Sequence, residues 1–437
     1  MALTDLSFIF LILPVLTVLG FFIKGRGRDV MLCLFSLLFI YMCDTDAFLL
    51  LLLPLMDMAV IHFLRKSDME EERLKNLLTF LIAKSLAFFI VREIFFVPAT
   101  PVGASLLFFD IMAVNYYRTS GRSMSDLDFA SYVLFFPKLF AGPAVSPRAY
   151  LRNREKGFSL ELCTEGITLF LWGCGKEVIL VKQLDGIISN LFYHYETSPS
   201  VVFSWALTFL CTLKVYLYLS SFGDMGRGIG KIFMIDMPKG AFYPFFSSSV
   251  REFIKRLGLS LSDTMGSAVS FWAIELKKKI RNYISSFMCV LYINALLRPI
   301  GASWGFSLYM GLCLILDYSF IYKVRERSHT LSAFLVLLFV LPAFTFILPM
   351  NGTETAFFIL NMTMLNGAPF ILPSTMYFSA ANINAVIVSF VISTGLIYAG
   401  GSFLKKMSPK VFKISALVVL SGIMVLIASF ALLEGGI

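Results

Sequence analysis

Ionisable side chains stand inside the long apolar stretches of this sequence, where a charge is costly. A charged group surrounded by hydrocarbon must pair with another group, line a polar cavity or take part in chemistry. Each such residue is therefore a candidate for function before any fold is considered. The candidates in or beside the apolar stretches are Asp57, Lys84, Arg92, Glu93, Asp110, Lys138, Lys176, Glu177, Lys182, Asp185, Lys214, Asp224, Arg298 and Asp317.

One apolar stretch holds four of these candidates close together. The four are Lys176, Glu177, Lys182 and Asp185. Opposite charges three or four residues apart on a helix can pair, and lysine stems can carry their ammonium groups toward an interface. We therefore interpret this cluster as internally paired, and a structural role is favoured over a catalytic one.

Arg298 lies in the sequence LLRPIGASW, where Pro299 and Gly301 interrupt the preceding helix. Proline removes a backbone donor and glycine loosens the chain, so unpaired backbone groups are expected beside this charge. Two interpretations stay open: Arg298 takes part in a site, or it pairs with a carboxylate such as Asp317.

The three histidines, His62, His194 and His329, do not stand in a recognisable catalytic arrangement with serine, cysteine or carboxylates. No nucleophile elbow, phosphate-binding loop, zinc-protease motif or dinucleotide fingerprint is present. The seven cysteines are scattered without a CxxC pair, so the sequence predicts no metal site. These residues alone indicate polar groups in an apolar protein and name no reaction.

The composition places these groups in a membrane protein. Of 437 residues, 58% are hydrophobic and only 15% are charged, whereas an ordinary soluble domain is roughly 45–50% apolar and about 25% charged. A soluble enzyme, a disordered chain and a secreted disulfide scaffold are therefore excluded. The net charge is +9. An excess of Lys and Arg is ordinary in the cytoplasmic loops of a membrane protein, so the charge does not indicate nucleic-acid binding. The sequence predicts an all-α polytopic bundle that forms a single membrane domain over 1–437.

Apolar stretches long enough to cross a bilayer, about 20 residues each, define the elements that must position the polar groups. With two shorter stretches included, twelve crossings are predicted, at 4–23, 30–43, 47–64, 77–97, 102–117, 166–197, 202–222, 284–299, 303–322, 330–350, 381–402 and 411–432. Basic residues then collect in loops on one face. This pattern predicts a multi-pass protein of the plasma membrane with both termini extracytoplasmic. The first crossing lacks a preceding basic residue and is expected to remain as a span.

Two stretches do not fit simple crossings. Segment 129–142 is short and broken by Pro137, which is typical of a re-entrant or in-plane piece. Segment 223–283 is the longest polar stretch and is rich in Lys, Arg, Ser and Phe, which predicts short amphipathic helices at the cytoplasmic interface.

Six motifs, in order along the chain, resemble the membrane-bound O-acyltransferase (MBOAT) family, in particular its bacterial branch that acylates cell-envelope polysaccharides and teichoic acid. They are TPVGAS at 100–105, YVLFFPKLFAGPAVSPRAY at 132–150, the helix at 166–192, VYLYLSSFGDMGRGIGKIFMIDMP at 215–238, FYPFFSSSVREFIKRLGLSLS at 242–262 and GASW at 301–304. The resemblance implies an MBOAT-like core over 100–322 with a cytoplasmic funnel region at 223–283. It also implies an acyl thioester donor, either acyl-CoA or an acyl carrier protein, and no bound cofactor.

The departures from the family pattern fall at its proton-handling residues. The catalytic histidine of "WHGASW" aligns with Ile300, the second histidine of "RWHiSLS" with Gly258, and the "DFSGY" aspartate with Tyr218. Neither Ile nor Gly can accept a proton, so the resemblance implies impaired catalysis, as in a pseudoenzyme. The family pattern places a donor funnel at Asp224, Arg251, Glu252, Arg256, Ser260, Arg298 and Ser303.

Three functional hypotheses follow. The chain is a divergent O-acyltransferase in which His62 or a carboxylate replaces the missing base. Alternatively, it is a non-catalytic scaffold or acyl-carrier dock that partners an active acyltransferase or a secreted acyl-transfer protein. A transporter is the least favoured, because no inverted repeat is visible. In each case the lipid bilayer is a partner and nucleic acid is not.

Overall fold

The computed structural model describes most of the chain. The described residues are 3–23, 25–43, 76–77, 79–84, 86–87, 105, 108, 112, 125–139, 144–154, 157–197, 199–371, 384, 386–394, 418–427 and 429. Over these residues the chain forms helices and turns and contains no strand, which confirms the all-α prediction. His62 and the predicted crossing 47–64 lie outside the described residues.

The described residues form fifteen named helices. In chain order they are α1 Phe8–Phe22, α2 Arg26–Cys43, α3 Asp126–Val133, α4 Pro147–Arg154, α5 Leu160–Gly175, α6 Lys182–Thr197, α7 Val201–Ile232, α8 Val250–Leu257, α9 Leu259–Trp272, α10 Lys278–Leu297, α11 Trp304–Leu316, α12 Tyr322–Arg327, α13 His329–Val340, α14 Gly352–Met362 and α15 Val418–Ile427. Three π-helical segments occur among the described residues: Phe8–Ile12 begins α1, Lys176–Val181 joins α5 to α6, and Asp317–Ile321 joins α11 to α12.

Four helical stretches among the described residues are long and apolar enough to cross a membrane. They are Val201–Ile232, Lys278–Ile300, Trp304–Arg327 and His329–Ile347. The predicted crossings 202–222, 284–299, 303–322 and 330–350 fall almost entirely within them. The prediction for 202–222 ends too early, because α7 continues through the polar residues after 222 to Ile232. Helix propensity and packing carry the helix beyond its apolar part.

The described residues form two compact units, each assembled from separate stretches of chain. The first unit takes 1–170, 222–240 and 258–299, and the second takes 171–221, 241–257 and 300–437. The core predicted over 100–322 therefore draws on both units.

The first unit buries a cluster of phenylalanines around the segment that the sequence predicts to be broken. The ring of Phe8 lies 5.4 Å from Phe39, 6.4 Å from Phe136 and 6.1 Å from Phe170. Segment 129–142 is indeed interrupted, since α3 ends at Val133 and a 3₁₀ turn follows at Phe136–Lys138. The Phe136 amide donates to the Ser36 hydroxyl at 3.2 Å, so this irregular backbone is satisfied inside protein.

In the second unit, α11 packs on a 3₁₀ segment, Leu341–Ile347, that extends α13. Gly301 adopts a φ of +98°, and a Cβ there would lie 2.8 Å from the Ile347 carbonyl oxygen. The Ser303 amide donates to the Phe346 carbonyl at 3.1 Å. The GASW motif is thus a tight turn that needs a glycine to bring the start of α11 against this 3₁₀ segment.

Candidate functional site

Two helical stretches that follow one another in the chain make polar contacts with each other. We call them the helix pair: Leu160–Thr197, which includes α5, the π-helical segment and α6, and Val201–Ile232, which is α7. In the first unit they cross at Gly166 and Gly228. A Cβ on Gly228 would lie 2.5 Å from the Phe170 amide nitrogen and 2.6 Å from the Gly166 carbonyl oxygen. Glycine is required here because backbone meets backbone.

In the second unit, three polar contacts join the helix pair. Lys176 Nζ donates to Ser220 Oγ at 2.8 Å. The side chains of Glu177 and Ser221 meet at 2.7 Å. Lys214, almost fully buried, forms an ion pair with Asp185 at 2.5 Å, and Asp185 remains more than half exposed.

These contacts add partners that the predicted pairing of the cluster at 176–185 within its own stretch did not include. The contacting side chains come from α7, and sequence reasoning missed Ser220 and Ser221 altogether. A signal for them existed: in a helical hairpin, residues equally distant from the connection face one another. Residues 220–221 lie about as far after the start of α7 as 176–177 lie before the end of α6. The offset is visible only once the boundary between α6 and α7 is known.

Asp224, a funnel candidate, lies in the first unit near the end of α7. Its carboxylate is 3.6 Å from the Arg227 guanidinium, whose Nε donates to the Met237 carbonyl at 3.3 Å. Lys231 pairs with Glu165 at 2.5 Å. The end of α7 is thus tied to the loop that follows it and to α5, and Asp224 is half-buried among these charges.

The funnel candidates Arg251, Glu252 and Arg256 lie on α8, in the second unit. We call residues 241–257 the amphipathic segment. One face of α8 buries Val250, Phe253, Ile254 and Leu257, while all three candidates are half-buried on the rest of the helix. This pattern confirms the predicted short amphipathic helix.

Glu252 and Arg256 form the polar centre of the amphipathic segment. Arg256 Nη2 donates to the Glu252 carboxylate at 2.6 Å, and its Nη1 donates to the Tyr243 carbonyl at 3.3 Å. The Ser248 amide and hydroxyl donate to the same carboxylate at 2.9 and 3.0 Å. Burial alone raises the pKa of Glu252, but these hydrogen bonds and the Arg256 charge outweigh it, so the pKa lies below its ordinary value.

The start of α8 is held by a residue from a membrane helix. The buried carboxylate of Asp317 accepts a hydrogen bond from the Val250 amide at 3.2 Å. The Ser249 hydroxyl accepts from the Glu252 amide at 3.1 Å. Together they satisfy two amides of the first turn of α8, which otherwise lack intrahelical partners. Asp317 therefore anchors the amphipathic segment, a role beyond its predicted pairing with Arg298.

The remaining candidates lie around two turns. Arg298 begins a 3₁₀ turn, Arg298–Ile300, that ends α10, and Ile300 is half-buried. Ser303 is the half-buried residue that precedes α11. Gly258 is buried at the start of α9, which contains Ser260. Since Gly258 belongs to the first unit and Ile300 to the second, the expectation that they share one site stays a prediction.

The described histidines are exposed. His194 lies near the end of α6 beside Tyr193, and His329 begins α13. Among the described residues, no three side chains of the His, Cys, Asp and Glu types come together as metal ligands.

No family model matches the sequence. Individual relatives do match. An alginate O-acetylase of Azotobacter vinelandii is 28% identical over 166 residues, 37% of this chain and 33% of the relative. An alginate O-acetylase of Pseudomonas putida is 25% identical over 210 residues, 47% of this chain and 41% of the relative. A peptidoglycan O-acetyltransferase of Helicobacter pylori is 25% identical over 266 residues, which are 57% of this chain and 49% of the relative.

The matches cover a third to about half of these relatives' own length. The apolar helices and the relatives together support a membrane-embedded protein similar to O-acetyltransferases of the MBOAT kind.

Proposed function

We propose that the chain takes part in O-acyl transfer from a cytoplasmic thioester donor to a hydroxyl of an extracytoplasmic polymer or lipid. The observation that carries this proposal is the similarity to O-acetylating proteins whose names specify alginate and peptidoglycan. A polysaccharide of the cell envelope is accordingly the proposed acceptor. The donor is proposed to be acyl-CoA or an acyl carrier protein, since both present a thioester.

The amphipathic segment is the proposed donor contact. Arg256 is half-buried, its Nη2 donates to Glu252 and its Nη1 donates to the Tyr243 carbonyl. Each of these nitrogens carries a second hydrogen. A guanidinium fixed in this way suits the phosphate groups shared by both donors, because its planar fork can bind a phosphate through two hydrogen bonds. Asp224, Arg251, Ser260, Arg298 and Ser303 complete the proposed funnel.

We further propose that catalysis is impaired. Ile300 and Gly258 stand where the family places histidines, and neither can take the proton of an attacking hydroxyl. Loss of a general base slows transfer by roughly 10²–10⁴-fold. The change Ile300→His is not expected to restore family-like rates, because the second histidine is also absent and catalytic groups act as a unit.

A labelled acetyl donor, given to membranes that contain the protein and either alginate or peptidoglycan, tests the proposal. We expect slow transfer that is unchanged in the variants His62→Ala, His194→Ala and His329→Ala. Fast transfer abolished by one of these changes would contradict the impairment and identify the substitute base. Complete absence of transfer would contradict catalysis by this chain.

The vacated histidine positions also favour a second candidate, a non-catalytic dock for an acyl carrier or for a secreted acyl-transfer partner. Binding of the donor without turnover is its signature. We expect Arg256→Ala to weaken binding of acyl-CoA or of acyl carrier protein about tenfold, and Lys255→Ala, on the exposed side of α8, to leave it nearly unchanged. Equal effects of the two changes would remove Arg256 from the donor contact.

The proposed location is the plasma membrane, with both termini extracytoplasmic and residues 223–283 cytoplasmic. A cysteine introduced at the exposed Lys278 of a cysteine-free variant should resist an impermeant reagent applied from outside. A cysteine at the exposed Thr353 should react. The opposite pattern would invert the proposed topology.

A further inference from the structure

The side chain of Glu177 contacts the Ser221 hydroxyl, which also contacts a backbone carbonyl of its own helix. Glu177 lies in the π-helical segment and is half-buried. Its Oε2 is 2.7 Å from Ser221 Oγ. The same Oγ is 2.7 Å from the carbonyl oxygen of Tyr218, one turn earlier in α7. Both distances are those of a full-strength O–H···O hydrogen bond.

Counting hydrogens at this hydroxyl leads to a conclusion about Glu177. A serine hydroxyl has one hydrogen to donate, and a backbone carbonyl can only accept. If Ser221 donates to Tyr218, its contact with Glu177 is a hydrogen bond only when the carboxyl carries a hydrogen of its own. A carboxylate would instead share one hydrogen with the carbonyl, and two short contacts could not both be strong.

The charges around Glu177 act on it from a distance: Lys182 and Lys214 favour the carboxylate, whereas Asp185 and burial favour the neutral carboxyl. Among the described residues, no cation lies within ion-pair distance of Glu177, since Lys176 extends to Ser220 and Lys214 to Asp185. Lys182, Asp185 and Lys214 act on Glu177 only at longer range, and the uncharged Cys174 and Tyr218 face it from α5 and α7. A carboxylate in apolar surroundings without a direct partner costs several kcal/mol, order of magnitude, and accepting a proton removes that cost.

The backbone at Glu177 supplies an independent observation. Lys176–Val181 is π-helical, within an otherwise α-helical stretch. Such segments insert an extra residue, weaken the regular hydrogen-bond ladder and occur often at functional sites. Here the insertion begins at the two polar residues that contact α7.

We propose that Glu177 and Ser221 form a proton-binding site in which Glu177 is a neutral carboxylic acid at neutral pH. Its hydrogen is donated to Ser221, which donates in turn to the Tyr218 carbonyl. The ligand of this site is a proton.

One use of the site rests on the proposed function. Acyl transfer from a thioester to a hydroxyl moves one proton from the hydroxyl to the departing thiol. A proton-exchanging carboxyl can serve that transfer where imidazoles are absent. The proton on Glu177 itself does not depend on this use.

Labelling with N,N′-dicyclohexylcarbodiimide tests the site in the full-length protein in membranes. A protonated carboxyl adds across one C=N bond: its oxygen bonds to the central carbon, its proton moves to nitrogen, and nothing leaves. We expect mass spectrometry to find the adduct on Glu177 at neutral pH, decreasing as pH rises. Glu165, paired with Lys231, should be at least tenfold less labelled and serves as the control. Equal labelling of the two, or labelling of Glu165 alone, would overturn the proposal.

Infrared spectroscopy gives a second readout. The carbonyl stretch of a protonated carboxyl should be present in the natural protein at neutral pH and lost in Glu177→Gln. It should persist in Glu165→Gln. Should Glu177→Gln fail to fold, Ser221→Ala is decisive, because loss of the acceptor moves the band to higher frequency. A natural protein without the band, or a band unmoved by Ser221→Ala, would refute the site.

Acetyl transfer separates this inference from the proposed function. If the labelling and infrared results hold but Glu177→Gln transfers acetyl at the natural rate, the proton site stands and its catalytic use is wrong. If no variant, including the natural protein, transfers acetyl, the failure lies with the proposed reaction.

Discussion

The helix pair and the amphipathic segment both place charged residues in apolar surroundings, but in opposite ways. In the helix pair, the Lys214 ammonium is almost fully buried, and serines of the facing helix meet Lys176 and Glu177. In the amphipathic segment, Glu252 and Arg256 pair along one helix, and roughly a third of each side chain stays exposed.

The difference shows which polar groups hold the protein together and which are available to a ligand. Removing one member of a buried pair leaves the other without compensation, which is strongly destabilising. A half-exposed pair contributes little, because water replaces either partner. We therefore expect changes in the helix pair to act on stability and changes at Arg256 to act on donor binding.

The largest effect is expected at the glycine crossing. Gly228→Ala puts a Cβ within 2.6 Å of backbone atoms of the facing helix, so the helices must separate. We expect a loss of about 3 kcal/mol, the upper end of the cost of overpacking, because the new Cβ meets backbone atoms; thermal unfolding in detergent measures it. Gly186→Ala is the matched control, because nothing lies within 4 Å of its Cβ position. Alanine forms helices better than glycine, so Gly186→Ala should stabilise the protein slightly. Equal changes in stability for Gly228→Ala and Gly186→Ala would contradict the close helix crossing.

Asp185→Asn tests the buried ammonium. Lys214 loses its charged partner while remaining almost fully buried. A hydrogen bond to a charged group is worth about 1.5–3 kcal/mol, and we expect a loss in this range in the same unfolding assay. Asp236→Asn, at an exposed carboxylate, should change stability by less than about 0.5 kcal/mol. If Asp185→Asn is as stable as the natural protein, the Lys214–Asp185 ion pair contributes as little as a partly exposed pair such as Glu252–Arg256.

Asp317→Asn tests how the amphipathic segment is anchored. The neutral amide accepts the Val250 hydrogen bond more weakly than the carboxylate does. We expect a loss of about 1 kcal/mol, typical of a helix cap, together with faster hydrogen exchange at the amides that begin α8. Ser249→Ala removes the other cap and should accelerate hydrogen exchange at the Glu252 amide. If exchange is unchanged in Asp317→Asn, the anchor is not Asp317.

The smallest effect is a pH dependence at Glu252. Its pKa lies below the ordinary 4.5, so the folded state favours the carboxylate. The stability this provides is fully present above pH 4.5 and is lost as pH falls through the lower, folded-state pKa. We expect less than about 1 kcal/mol, because the pair is partly exposed. The natural protein and Glu252→Gln should differ in unfolding temperature near neutral pH and converge in acid; a constant difference would assign the effect to packing.

Several helices could be predicted from the sequence because their signal is local. The apolar runs 202–222, 284–299, 303–322 and 330–350 lie almost wholly inside helices long enough to cross a membrane. The break at Pro137 was predictable for the same reason, since proline disrupts a helix through its own geometry. The polar residues after 222 carry no such signal, and the prolonged α7 was missed.

The site was less predictable, because its contacts join residues far apart in sequence. Arg256 and Glu252 were accessible to prediction: they are four residues apart on one amphipathic helix. Ser221 was not, because serine is common and its significance comes only from Glu177, 44 residues away.

By itself, the sequence determined that this protein is all-α and membrane-embedded, because hydrophobicity and helix formation depend on each residue and its near neighbours. It also determined which positions lack an imidazole, since the residue type at Ile300 and Gly258 is a matter of sequence alone. Only the tertiary structure decided which polar groups meet. Burial makes an unpaired charge costly, and which side chain relieves that cost is settled where two helices pack.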